Sequence, residues 1–403
     1  MAIPPALPTW DQVLTTARTH TPARRVRRPG QSPSTAPVPT GLAAGERPRV
    51  LLYRDSNSWC PFCERVWFAL EEKGIAFATE FIDLQNKPQW YLDLVPTALV
   101  PAAKIDGQLV YESKDILLAL EERFPDPALL PENPAEQAAA YDELEWSETG
   151  GFLQASYRFL RGNAESEEER VNLQRTLEEH LDRLETALGK FSGAFFLSRF
   201  SLVDILYSPH LDRLAACGPV YRGYSLRGNP RYPRLNAWFT ALRRRPAYHR
   251  VRSDDTTNVL LLRRRFGLEP TGQPLPLHPE DSADLAYRAE AAERLADNRE
   301  AAIADILKNS GVQALAITDL ALGDIVDTHL RHLAAHLLRG DEPVIGGATG
   351  GAETSTPQAV AIAAIGAMTY AYLRNRICAP RDMSAGAATA LRAATEELLV
   401  GLY

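Results

Sequence analysis

An α/β domain followed by all-α regions is the fold class this sequence predicts, on three observations. Between Arg49 and Phe124, short apolar runs alternate with helical patterns and are punctuated by turn residues. From Pro134 to about Arg252, and again from Glu280 to Tyr403, the apolar spacing is helical. A Pro/Gly-rich stretch, Glu269 to Pro279, separates these two regions. The chain therefore divides into an extended or disordered arm (1–48), an α/β domain (49–127), a helical domain (134–253), a linker (254–279) and a helical extension (280–403).

Composition narrows the function classes. At 45% hydrophobic and 24% charged residues, the 403-residue chain resembles an ordinary globular protein with a sizeable core in each domain. A net charge of −7 and the lack of a compact basic face argue against a nucleic-acid partner. The most apolar segment, Ala359 to Leu373, falls short of the roughly 20 residues a bilayer span needs and reads as a buried helix. Four cysteines, two of them close together, do not make a disulfide framework; a C-x-x-C pair in a reducing compartment points to redox or thiol chemistry.

The arm is rich in Pro, Thr and Arg and has only Asp11 and Glu46 as acids, so it should not fold alone. Trp10 to Leu14 is expected at most to form a helical turn docked on the body. A cytoplasmic location follows, or the chloroplast stroma if the arm is a transit peptide. In the α/β domain, Val50 to Tyr53 reads as a strand and Cys60 to Lys73 as a helix stopped by Gly74. Ala78 to Ile82 is a second strand, followed by a helical turn at Lys87 to Asp93. A hairpin turns at Asp106-Gly107 between Ala102–Ile105 and Gln108–Tyr111, and a helix runs from Ser113 to Phe124 with Ser113 as its cap. The order βαβ then ββα is that of a thioredoxin-like domain, in which Pro101 falls at the cis-proline facing the active cysteine. Further on, Ser201 and Asp204 are spaced as a capping box. Gly346 to Ser355 reads as a flexible loop between two helices of the extension.

The chemistry centres on Cys60. A strand that delivers a cysteine to a helix N-terminus places its sulfur among unpaired N–H groups and at the positive end of the helix dipole, where a thiolate is favoured. Cys63, one turn on, either resolves a mixed disulfide or packs on the inner helix face. Cys217 and Cys378 read as structural. His329, His332 and His336 share a helix face near Asp324 and Asp327, but with no second ligand-bearing helix in view they read as a polar flank, and no metal is expected.

Four motifs carry a resemblance: Cys60-Pro61-Phe62-Cys63-Glu64-Arg65-Val66, Asn86-Lys87-Pro88-Gln89-Trp90, Leu99-Val100-Pro101 and Gln108-Leu109-Val110-Tyr111-Glu112-Ser113. Over Arg49 to Arg252 the chain resembles a cysteine-type glutathione transferase of the omega class and related plant enzymes. The early Trp10, Arg374-Asn375-Arg376 and Pro380-Arg381-Asp382-Met383 make it similar to the iota class, which has a helical C-terminal extension.

The resemblance implies a thioredoxin-like glutathione-binding domain and an all-helical transferase domain, with glutathione as co-substrate. Ser113 would hold the γ-glutamyl carboxylate, Glu112 the α-amino group and Lys87 the glycine carboxylate. The backbone of Val100, before Pro101, would pair with the cysteinyl amide, and Phe62 would line the pocket beside the sulfur. Without the motifs, Lys87 reads as a surface lysine, Ser113 as a cap alone and Glu112 as an exposed acid. Cys60 as nucleophile implies thiol transfer, deglutathionylation or dehydroascorbate reduction, with a glutathionylated or small oxidised substrate as partner. Trp59, Trp146, Ser147 and Tyr157 are candidates to line the substrate cleft. The alternative is a glutathione- or ligand-binding module whose helical extension mediates a non-catalytic interaction.

Overall fold

A computed structural model of the protein describes residues 7–21, 47–162, 166–272, 283–315, 321–339 and 356–402. The chain forms two compact units, one of residues 34–275 and one of residues 1–33 together with 276–403.

In the first unit, β1 (Val50–Asp55), α2 (Pro61–Glu72), β2 (Phe77–Ile82), α3 (Gln89–Leu94), β3 (Ala102–Ile105), β4 (Gln108–Tyr111) and α4 (Ser113–Arg123) follow the expected order; α1 (Trp10–His20) belongs to the second unit. The sheet runs β2-β1-β3-β4. β1 pairs parallel with β2, Val50 opposite Phe77, and antiparallel with β3, Val50 opposite Ile105. The β3–β4 turn places both Asp106 and Gly107 at positive φ, as a two-residue hairpin of matching twist requires. α2 has nine of its twelve residues buried, too many for one face, because it lies between the sheet and the helices that follow.

Those helices are α5 (Pro134–Thr149), α6 (Phe152–Arg161), α7 (Glu167–Ala187), α8 (Leu202–Arg222), α9 (Pro233–Leu242) and α10 (Pro246–Val251). The single stripe expected over Ala135 to Leu160 is broken at Gly150-Gly151. A Cβ on Gly150 would run into the Trp146 ring, and Gly151 sits at φ +80°, which side chains resist. α8 begins with the expected capping box, Asp204 accepting from the Ser201 N–H at 2.8 Å. It packs against α2, α5 and α6. One apolar core runs from Val50 and Leu52 through Val66 and Phe68 to Leu206 and Trp238, so the α/β and helical segments fold around a shared interior.

Two boundaries change. The expected linker at 254–279 begins with a helix, α11 (Asp255–Phe266), capped by Asp254 and packed on α8, where the Val259 carbonyl takes the buried Tyr221 hydroxyl at 2.7 Å. The arm at 1–48, expected to be extended, contains a three-turn helix, α1 (Trp10–His20), with a Thr9/Gln12 capping box. Val13 and Ala17, four residues apart, are fully buried. Trp10 Nε1 donates to Asp327 at 2.7 Å and Arg18 pairs with Glu293. Composition hid this helix because its partners lie some 300 residues away.

The second unit joins α1 to α12 (Leu285–Asp297), α13 (Arg299–Asn309), α14 (Leu322–Arg339), α15 (Pro357–Arg376) and α16 (Ala385–Val400). It has its own core, built on Val13, Ala289, Leu330, Ile365 and Leu391. The Ala-rich α15 is buried along one stripe only, Ile365, Thr369, Tyr370 and Leu373, while Val360 is exposed. The loop expected at Gly346 to Ser355 lies outside the described residues. Among the described residues no helix is long and apolar enough to cross a membrane.

Candidate functional site

Cys60 is the N-cap of α2, with Pro61 at the first helical position, where its missing N–H costs nothing. The turn that presents it is held from below. Asp55 accepts the Trp59 N–H at 2.8 Å, and the buried Arg54 donates to Ser58 Oγ at 2.7 Å while stacking on the Trp67 and Phe81 rings. The Cys60 thiol faces the Val100 carbonyl at 4.0 Å, and the Val100–Pro101 bond is cis. The sequence therefore placed the cysteine and the proline correctly with respect to each other.

Cys63 is buried behind Cys60, and burial first, then its bond to Cys60, pushes its thiol well above the ordinary range. It is held as a neutral thiol. Cys217 and Cys378 are also buried and form no disulfide among the described residues, and burial pushes the Cys217 thiol up to about 12.

The remaining predicted residues lie before α3, before β3 and at the start of α4. Lys87 Nζ donates to the Ala98 carbonyl at 2.8 Å, which uses one of its three donors. The Val100 N–H has no acceptor among the described residues. Glu112, not Ser113, is the N-cap of α4. It holds φ +67°, rare for a residue with a side chain, and its exposed carboxylate has no partner among the described residues. Ser113 is buried at the first helical position, and its hydroxyl accepts from Arg65 at 3.2 Å. The expected serine cap is thus displaced by one residue, because Arg65 draws the hydroxyl inward.

Three charged groups and a histidine on the helical side were not singled out from the sequence. Arg65 is fully buried and donates to the Leu206 carbonyl, Ser113 and Glu148; its other terminal nitrogen is buried without a partner. Arg213 on α8 bonds the Trp59 carbonyl at 2.5 Å and the Glu64 carboxylate at 3.0 Å, tying both flanks of Cys60 to the helical domain. Burial outweighs the attraction of Arg213 and raises Glu64 to about 7. His210 meets the Phe62 ring edge-on at 5.2 Å, and burial, then Arg65 and Arg213, lowers its pKa well below the usual histidine range. The signal was present: Glu64 and Arg65 are charges inside the otherwise apolar run of α2.

The cleft candidates separate. Tyr157 lies beside His210, ring centroids 6.1 Å apart, and Trp59 is clamped by Arg213. Trp146 instead stacks on Phe152 under the Arg183 guanidinium, and Ser147 is buried with its hydroxyl on the Leu144 carbonyl. Both belong to the helical packing, since α5 turns that face toward α6 and α8. In the second unit, His329 bonds the Ile362 carbonyl and Tyr370, and His336 pairs with Glu397. No group of three or more potential metal ligands is assembled among the described residues.

A family model of the glutathione S-transferase N-terminal domain matches residues 59–123, and one of the C-terminal domain matches residues 138–241. Glutathione S-transferase L3 of Arabidopsis thaliana is 31% identical over 211 residues, 51% of this chain and 84% of that protein. The chain belongs to the glutathione S-transferase family. Glutathione S-transferase DHAR2 of the same plant is 33% identical to this transferase over 168 residues, covering 41% of this chain and 72% of that one. Among solved structures, glutathione transferase Omega 3C from Trametes versicolor is similar at 25% identity and a TM-score of 0.45, over 60% of this chain and 90% of that one. The matched family domains lie within the unit of residues 34–275, which carries Cys60.

Proposed function

We propose that this transferase is of the cysteine type and works as a glutathione-dependent thiol transferase and deglutathionylase, with dehydroascorbate as a further substrate. The observation that carries the reading is the position of Cys60: its sulfur sits at a helix N-terminus facing the Val100 carbonyl before the cis Pro101. A cysteine there exchanges with disulfides itself. In the first half-reaction the Cys60 thiolate attacks the glutathionyl sulfur of a mixed disulfide. The old S–S bond breaks, and the released thiolate takes a proton. In the second, glutathione thiolate attacks the Cys60–glutathione disulfide, oxidised glutathione leaves, and the Cys60 thiolate returns. Overall one glutathione thiol is consumed per mixed disulfide, its proton ends on the released thiol, and the transferred glutathionyl group leaves joined to it as oxidised glutathione.

Glutathione is held with its backbone against Val100, in the manner of a short added strand, for which the unused Val100 N–H is suited. Lys87 takes the glycine carboxylate, Glu112 the amino group, Ser113 the γ-glutamyl carboxylate near the α4 N-terminus, and Phe62 borders the sulfur. The buried, neutral Cys63 supports a cycle on Cys60 alone. The iota-class assignment and a cytoplasmic location belong to the same proposal. The docked α1 supports the view that the arm is part of the working protein.

The test is glutathione-dependent reduction of a mixed disulfide by the wild type, Cys60→Ser and Cys63→Ser, with the intact masses read before and after reductant. Cys60→Ser should lose turnover by at least about a hundredfold, and the wild type should gain one glutathione on Cys60. Undiminished turnover in Cys60→Ser would reject the nucleophile. A Cys60–Cys63 disulfide, with equal loss in Cys63→Ser, would replace the one-cysteine cycle by a two-cysteine one.

A further inference from the structure

Beyond Phe62, a wall of rings and cations leads away from the sulfur along the helical domain. Phe62 meets His210 at 5.2 Å, and His210 meets Tyr157 at 6.1 Å. The Arg161 guanidinium lies 4.5 Å from the Tyr157 centroid and 4.5 Å from that of Phe266. Tyr157 and Arg161 are four residues apart on α6 and so share a face. Phe266, the last residue of α11, is exposed.

The cations of this wall differ in what they hold. Arg213 is committed to Glu64 and the Trp59 and Pro209 carbonyls, and Arg65 is fully buried and held by Glu148, Ser113 and the Leu206 carbonyl, with one terminal nitrogen left over. Arg161 makes no ion pair or hydrogen bond with any described residue, and neither does the Tyr157 hydroxyl. A guanidinium lying over aromatic faces keeps its N–H donors free in its own plane. That planar fork matches a carboxylate in two parallel hydrogen bonds.

We propose that Arg161, with Tyr157 beside it, selects the exchange partner of Cys60 by binding a carboxylate on that partner. The inference rests on the thiol-transfer reading and narrows its substrate class. The carboxylate has two sources. In the first half-reaction it belongs to the group released from the glutathionyl sulfur; in the second, to the incoming glutathione. In both, in-line exchange places that group on the far side of the glutathionyl sulfur from Cys60.

The experiment measures kcat and KM of the wild type, Arg161→Ala, Arg161→Lys and Tyr157→Phe with two mixed disulfides. One joins glutathione to 3-mercaptopropionate and the other joins it to 2-mercaptoethanol, which lacks the carboxylate. Glutathione is varied with each, and circular dichroism checks that every variant folds. In Arg161→Ala the preference for the carboxylate-bearing disulfide should fall about tenfold, or the KM for glutathione should rise about tenfold, with kcat changed less. The first result places the carboxylate on the released thiol and the second on the incoming glutathione. Arg161→Lys should recover part of the loss, because it keeps the charge and loses the fork. If Arg161→Ala leaves both the preference and the glutathione KM within about twofold of wild type, the inference is overturned while thiol transfer stands. A wild type that turns over neither disulfide overturns the thiol-transfer reading, and this inference with it.

Discussion

Replacing Glu64 by Gln should change how the stability of the transferase unit depends on pH. Glu64 is buried on α2, one turn after Cys60, with its carboxylate on Arg213 at 3.0 Å. Burial raises it from an ordinary 4.5 to about 7. A carboxyl whose folded pKa is raised stabilises fully below its unfolded pKa, and that contribution is lost as pH rises through the folded value. The difference between 7 and 4.5 is 2.5 units, which at about 1.4 kcal/mol each amounts to about 3 kcal/mol across the window. Gln cannot ionise, so Glu64→Gln lacks this slope while Asp204, also raised by burial, to about 6, contributes equally to both proteins. Five of the six tryptophans, all but Trp10, lie in residues 34–275, so urea unfolding followed by tryptophan emission reports mainly on this unit. Between about pH 4.5 and 7, wild type should lose about 3 kcal/mol relative to Glu64→Gln. Parallel stability curves for the two proteins across that range would refute the burial argument.

Two further substitutions test the packing. Trp238 Nε1 donates to the buried Asp204 carboxylate at 2.8 Å. Trp238→Phe should therefore cost about 1–3 kcal/mol in urea unfolding followed by circular dichroism, and an unchanged midpoint would count against that bond. Val13→Asp places a charge at a fully buried position of α1 and should release the helix at a cost of about 3 kcal/mol or more. The readout is trypsin cleavage after Arg18, which should become much faster than in wild type; equal rates would mean that α1 is not held through Val13.

How much was legible follows from the range of each interaction. The Cys60 helix start, the hairpin at Asp106-Gly107 and the Ser201/Asp204 capping box depend on residues a few positions apart, and all three were readable in order. The cis Pro101 was readable through the four motifs, which fix the spacing between cysteine and proline. The Ser113 cap was misplaced by one residue because Arg65, 48 positions earlier, takes its hydroxyl. Trp146, one candidate for the cleft and equally for the core, packs among Phe152 and Arg183, neighbours that only helix packing brings together.

The sequence by itself determined the local chemistry: a cysteine at a helix N-terminus, a proline positioned to face it, and the order of strands and helices that delivers both. Only the tertiary structure decided which charges surround that cysteine and where α1 belongs. Arg213 reaches Trp59 and Glu64 across about 150 positions, and Trp10 reaches Asp327 across 317. Burial shifts the protonation of Glu64 and His210. Burial is a property of the assembled core, not of any short stretch of chain.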